Sequence, residues 1–236
     1  MIYTVAVLTL LASSVFCQEA PKCCTVDQWE AKESQVNGIV PTGGQSQIIN
    51  VGLTLHYDST NQRVAAEETI TTKGQTYDIH VIQDFAKKIQ YNIIANNCTK
   101  TVIGSFEKAC VPDNLDIDQF LCSLLGHDVM PRLMGNYYFG GKAQALPFTA
   151  YQMSVQGLQV QVAVTTTGCY PVEEIILGKF GTTDVSETFN YVNITDGIKD
   201  PSVFTPPASC NSGPVKYGVH LPTGSRILRG RSFLTL

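Results

Sequence analysis

The side chains with the most chemistry to offer in this chain of 236 residues are its eight cysteines, at 17, 23, 24, 98, 110, 122, 169 and 210. Zinc would need soft ligands in closely spaced pairs. No C-x-x-C pair occurs, and the histidines His56, His80, His127 and His220 are scattered. The alternative is structural disulfides, which require an oxidising compartment. The N-terminus points to one. Residues Met1 to Cys17 carry no charged side chain, with an apolar run from Val5 to Leu11 and small residues at Ala12, Ser13 and Ser14. This is the pattern of a secretory signal peptide, with cleavage expected after Cys17. The run is shorter than the roughly 20 apolar residues that span a bilayer, and no later stretch is long enough, so no transmembrane segment is expected. Cleavage leaves seven cysteines. That odd number requires one to be free or to pair between chains.

Carboxylates are the second candidate chemistry. Asp113, Asp116 and Asp118 form one group, Asp196 and Asp200 another. Either could supply oxygens to calcium, which takes six to eight of them from several segments. Neither matches an EF-hand loop. A helix N-terminus accounts for the first group and a turn for the second, so Asp196 and Asp200 stand only as weak metal candidates. Two N-glycosylation sequons occur, Asn97-Cys98-Thr99 and Asn193-Ile194-Thr195. The motifs of covalent and phosphoryl chemistry, G-x-S-x-G, H-E-x-x-H and the P-loop, are absent. The expectation is therefore a protein that is not an enzyme. Charged residues make up 15% and the net charge is −4, which gives no general basic face for nucleic acid.

Strands must position these residues. Ile49, Val51, Leu53, Leu55 and Tyr57 occupy alternate positions, as one buried face of a strand requires. Turn residues Asp58 to Asn61 follow, then strands over Gln62–Ile70, Tyr77–Val81 and Ile89–Ile93, an antiparallel meander. Asp113–Leu125 has near-helical spacing and an acidic start, which predicts a short helix. Met130 to Gly141 reads as irregular. Strands return at Phe148–Val155, Leu158–Val164, Glu174–Lys179 and Ser186–Asn193. About eight strands without βαβ alternation predict a mainly β sandwich or open barrel. One domain is expected over 18–212, followed by a loose basic tail over 213–236 with Arg226, Arg229 and Arg231.

One segment is more specific than the rest. Gly197-Ile198-Lys199-Asp200-Pro201-Ser202-Val203-Phe204-Thr205-Pro206-Pro207 closely resembles the C-terminal signature of the ependymin-related family. Cys169-Tyr170-Pro171-Val172-Glu173-Glu174, Cys23 with Trp29-Glu30, and Tyr57-Asp58 with Asn61-Gln62-Arg63-Val64 resemble further blocks of it. The residues have their own physical reading. Pro201, Pro206 and Pro207 stiffen a loop, and Val203 and Phe204 can pack, so the segment reads as a clasp tied down at Cys210. Trp29 reads as a core anchor.

The resemblance implies two stacked, curved antiparallel sheets forming an open half-barrel, similar to bacterial lipoprotein carriers. It further implies an apolar pocket between the sheets, a homodimer, N-glycans at Asn97 and Asn193, and calcium. It suggests the bridges Cys98–Cys210 and Cys23–Cys169, with Cys24–Cys169 as the alternative. Cys110 and Cys122 look like a third pair, replacing a bridge of the vertebrate pattern whose two cysteines are missing here. Leu53, Leu55, Val160, Val162 and Val164 alternate onto inward faces. They are the weak candidates for pocket lining, and alternation alone leaves open whether they line a pocket or fill a core. The expected function is a secreted glycoprotein, extracellular or in the lysosomal lumen, that binds a lipid or fatty-acid-like molecule. The alternative is a calcium-dependent cell–matrix adhesion glycoprotein.

Overall fold

A computed structural model describes residues 22–72, 75–94, 97–106, 108–112, 132–141, 143–155, 158–211 and 215–216. The expected helix over Asp113–Leu125, the signal peptide, and the tail beyond Lys216 lie outside them. Twelve strands form one large sheet. They are β2 (Gln28–Val40), β3 (Gln47–Asp58), β4 (Arg63–Thr72), β5 (Gln75–Asp84), β6 (Ile89–Ile94), β7 (Asn97–Val102), β9 (Arg132–Phe139), β10 (Leu146–Val155), β11 (Leu158–Thr165), β12 (Pro171–Phe180), β13 (Thr183–Asp196) and β14 (Val215–Lys216). Their order is β14-β7-β6-β5-β4-β3-β2-β13-β12-β11-β10-β9. Every neighbour is antiparallel except β14, which pairs in parallel with β7. A ribbon of β1 (Lys22–Cys24) and β8 (Cys110–Pro112) forms the second sheet. The protein is thus mostly β, with two sheets, neither closed and both antiparallel but for β14. The sheets are unequal: the second is a ribbon, and both halves of the large sheet supply the core.

The hairpins follow from local chemistry. At the β3–β4 turn the buried Asp58 carboxylate accepts from the Asn61 backbone N–H at 3.1 Å, Asn61 Nδ2 at 2.8 Å, Arg63 Nε at 2.8 Å and Gln28 Nε2 at 3.0 Å. Burial pushes its pKa up, but the hydrogen bonds from Asn61, Gln28 and Arg63 outweigh that and hold it below the usual value. One carboxylate thereby fixes the turn and ties it to β2. The fully buried Trp29 lies opposite Tyr57, ring centroids 5.4 Å apart. The Tyr57 hydroxyl accepts from the Ala109 N–H at 3.1 Å, joining the segment before β8 to the core.

The sheet has an inner and an outer face, and alternation assigns residues to each. Inward from β3 point Ile49, Val51, Leu53, Leu55 and Tyr57. From β11 point Leu158, Val160, Val162 and Val164. All nine are buried in one continuous hydrophobic cluster with Trp29, Val81, Ile176 and Phe189. On the outer face a smaller cluster gathers Ala65, Ile82, Tyr91, Cys98 and Cys210 around Phe204.

Two segments differ from the sequence expectation. The run read as irregular before Gly141 contains β9, an edge strand paired only with β10. Its aromatics stack on the neighbouring strand, with Phe139 and Tyr137 at 4.3 and 5.7 Å from Phe148. The third disulfide also differs. Cys110 is bonded to Cys24 and not to Cys122, because the β1–β8 register sets Cys24 directly opposite Cys110, Cα to Cα 4.0 Å. Cys122 lies outside the described residues. The other bridges are Cys23–Cys169 and Cys98–Cys210. Cys23 and Cys24 are neighbours in a strand and so point to opposite sides, which is why each takes its own partner.

Candidate functional site on the inner face of the open sheet

The residues over 197–210 fold across the outer face. Gly197, at φ +76°, turns the chain out of β13, and its N–H donates to the Gln28 carbonyl at 2.9 Å. Asp200 caps a single 3-10 turn over Pro201–Phe204 by accepting from the Ser202 N–H at 2.9 Å. Phe204 packs into the outer cluster, with the Arg63 guanidinium 4.2 Å from its ring centroid. The carboxylate of Glu30 accepts from the Lys199 N–H at 3.0 Å and lies 3.0 Å from His56 Nδ1. A second turn ends at Cys210, bonded to Cys98 on β7. The segment is a clasp that binds β2, β4, β5 and β7 together, and its signature residues are spent on that work.

The metal candidates are engaged in the same region. Asp200 holds the cap, and Asp196 accepts from the Tyr170 hydroxyl. Burial and that contact push the Tyr170 hydroxyl up to about 12. Among the described residues no group of three or more His, Cys, Asp or Glu is placed to hold a metal ion. Asn97 and Asn193 are both exposed, Asn193 at φ +55° in the bulge that interrupts β13.

A groove of about 710 Å³ opens on the outer face. One cross-strand row, Lys32, Thr54, Glu67, His80 and Ile93, forms its wall. Gly52, Thr69 and Asp78 form the next row. The inward row between these two, the buried Glu33, Leu53, Glu68 and Ile79, also borders it, so its lining mixes exposed polar residues with buried apolar and acidic ones.

The inner face carries the feature that sequence reasoning missed. In β2 the inward positions after Trp29 and Ala31 are Glu33, Gln35 and Asn37, all buried. The outward Val36 and Val40 are each 47% exposed. Alternation is therefore inverted in the middle of this strand. Glu68 on β4 and Glu174 on β12 face the same way and are buried too. Gln35 Nε2 donates to Glu33 Oε1 at 2.5 Å. Glu33 Oε2 and Gln35 Oε1 have no hydrogen-bond partner. Burial pushes the Glu33 carboxyl up to about 8; the Gln35 hydrogen bond opposes this, and the charges of Glu174 and Glu68 add to it.

A buried acceptor left unsatisfied costs about 1–3 kcal/mol, so native cores rarely keep one without a use. An apolar surface with a few convergent polar groups and a perturbed carboxyl is the composition of a binding site. The five lining candidates, Leu53, Leu55, Val160, Val162 and Val164, all lie on this face in the same cluster.

Known proteins share parts of this chain. A protein of similar sequence is mammalian ependymin-related protein 1 of Mus musculus, 23% identical over 197 residues, covering 80% of this chain and 76% of that protein. An uncharacterised conserved protein of Thermus thermophilus superposes with a TM-score of 0.46 at 9% identity, covering 90% of this chain and 99% of that one. A LolA superfamily protein of Nitrosomonas europaea does so with a TM-score of 0.32 at 8% identity, covering 76% and 90%. The ependymin family model matches residues 73–210, from the β4–β5 hairpin through the last cysteine of the clasp, and the chain belongs to that family.

Proposed function

We propose that this protein is a secreted glycoprotein that binds an apolar or amphiphilic ligand against the inner face of its open sheet, and that it is a binder and not an enzyme. One observation carries the reading. The inner face is apolar on both halves of the sheet, yet it is crossed by buried polar side chains, two atoms of which have no partner. A core built only for stability gains nothing from them. A site that must hold a chain and recognise one end of it does. Desolvation would drive binding, at about 0.8 kcal/mol per buried CH₂.

The three disulfides support secretion into an oxidising space, extracellular or lysosomal. Exposure of Asn97 and Asn193 supports glycans at both, checked by the mass lost on enzymatic deglycosylation. Pairing of two copies, which the family resemblance implies, is checked by light scattering. The test of the central reading is native mass spectrometry on protein secreted from cells, combined with displacement of the neutral dye Nile red. Co-purified lipid, or displacement by an added long-chain compound, is expected. Their joint absence rejects the reading. Calorimetry with Ca²⁺ before and after deglycosylation separates the adhesion alternative: no heat in either form removes calcium from it.

A further inference from the structure

We propose that Glu33 and Gln35, with Glu68 and Glu174 two strands away on either side, form a subsite on the inner face for the protonated amine of a long-chain amphiphile. This deepens the reading above and rests on it.

The sign of the charge on this face is the first support. Across β2–β7 and β9–β13 of the large sheet, the inward positions carry the carboxyls of Glu33, Glu68, Glu174 and Glu187, with Asp196 at the exposed end of β13, and no lysine, arginine or histidine. Lys32, Arg63, His56 and His80 all fall on outward positions. Burial holds the proton on the Glu33 carboxyl up to about pH 8, so an anionic headgroup would add a buried charge that nothing on this face balances. A cationic headgroup would supply the missing counter-charge.

The unmet hydrogen bonds are the second support, and they are independent of charge. Gln35 is fully buried, and its amide nitrogen is committed to Glu33. Its oxygen can therefore only accept, and it has no donor. Glu33 Oε2, on a residue only 3% exposed, likewise lacks a partner. An ammonium has three N–H donors and no acceptor. It can serve both atoms at once, whereas a carboxylate offers neither a donor nor the right charge. A divalent metal is the other cationic solution, and the described carboxylates do not cluster to hold one. The surrounding Leu53, Val162, Ile176 and Phe189 would receive the chain.

The test uses the whole secreted protein and three ligands of one chain length, dodecylamine, dodecanol and dodecanoate. Each is titrated below its micelle concentration at pH 7.4 against bound Nile red. Dodecylamine is expected to bind at least tenfold more tightly than dodecanoate, with dodecanol between them. In Glu33→Gln the amine is expected to lose its advantage over dodecanol. Dodecanoate binding as tightly as dodecylamine would overturn the proposal while leaving the hydrophobic-ligand reading intact. Displacement by none of the three would overturn both. Should Glu33→Gln not fold, the wild-type ranking alone decides.

Discussion

Glu33 makes the stability of this protein depend on pH in an unusual direction. In the unfolded chain its carboxyl titrates at the ordinary 4.5, and in the folded protein at about 8, chiefly because burial penalises the charged form. The folded state therefore holds the proton more tightly. The stability that the neutral carboxyl confers is fully present below about pH 4.5 and is lost as pH rises through about 8. Between these values the unfolded state releases nearly one more proton than the folded state. The slope approaches about 1.4 kcal/mol per pH unit, or about 3 kcal/mol between pH 5 and pH 8. Glu33→Gln removes the titration and keeps a side-chain oxygen to accept from Gln35. The assay is urea unfolding of disulfide-intact protein at pH 5, 6, 7 and 8, wild type against variant. The variant is expected to gain about 3 kcal/mol on the wild type across that range, since all other titrating groups are common to both. Parallel profiles would show that Glu33 is hydrated or paired with a cation, and would refute the reasoning.

Asp58→Ala leaves Gln28, Asn61 and Arg63 without their shared acceptor, and a loss of about 3 kcal/mol in urea unfolding is expected. Because the folded pKa of Asp58 is lowered, its contribution is present above the usual carboxylate range and lost as pH falls through the folded value, so the penalty should shrink in acid. Peptide mapping without reduction should recover a Cys24–Cys110 linked peptide, and Cys122→Ser should leave all three bridges intact; a Cys110–Cys122 peptide would contradict the β1–β8 register. Phe204→Ala empties the centre of the outer cluster and should cost about 3 kcal/mol, read as a lowered melting temperature.

What the sequence revealed depended on burial being one-sided. Ile49 to Tyr57 and Leu158 to Val164 were legible because every second residue is apolar and buried while most of its neighbours are not. β2 was not legible as a strand, although it is the centre of the sheet. Its inward positions run Trp29, Ala31, Glu33, Gln35, Asn37, Ile39, and apolar Val36 and Val40 face outward, so no period-two apolar stripe survives. β9 was missed for the opposite reason: as an edge strand it is exposed on both sides, and nothing selects an alternation. The ribbon of β1 and β8 is three residues long in each strand, below the length at which periodicity can be read. The adjacency of Cys23 and Cys24 did carry a usable signal. Two neighbours in a strand point to opposite sides, so a bridge from the second must run to a different part of the chain.

β2 also explains why the residues that identify the family are not those that would choose a ligand. Outward, Glu30 holds the Lys199 backbone and His56, and so anchors the clasp. Three residues on, Glu33 points to the other side, into the apolar face. One strand thus serves both jobs, and its pleat keeps them apart. The clasp needs fixed residues at fixed spacing, because a cap, a glycine turn and a disulfide each tolerate few substitutes, and this makes a recognisable signature. The inner stripe needs only a polar side chain among the apolar residues of that face, which can sit at any inward position of several strands and leaves no motif. Membership of the family therefore transfers the clasp and the sheet to this chain. The chemistry of the ligand has to be read from the inward residues of each member separately, and here those residues are acids and amides.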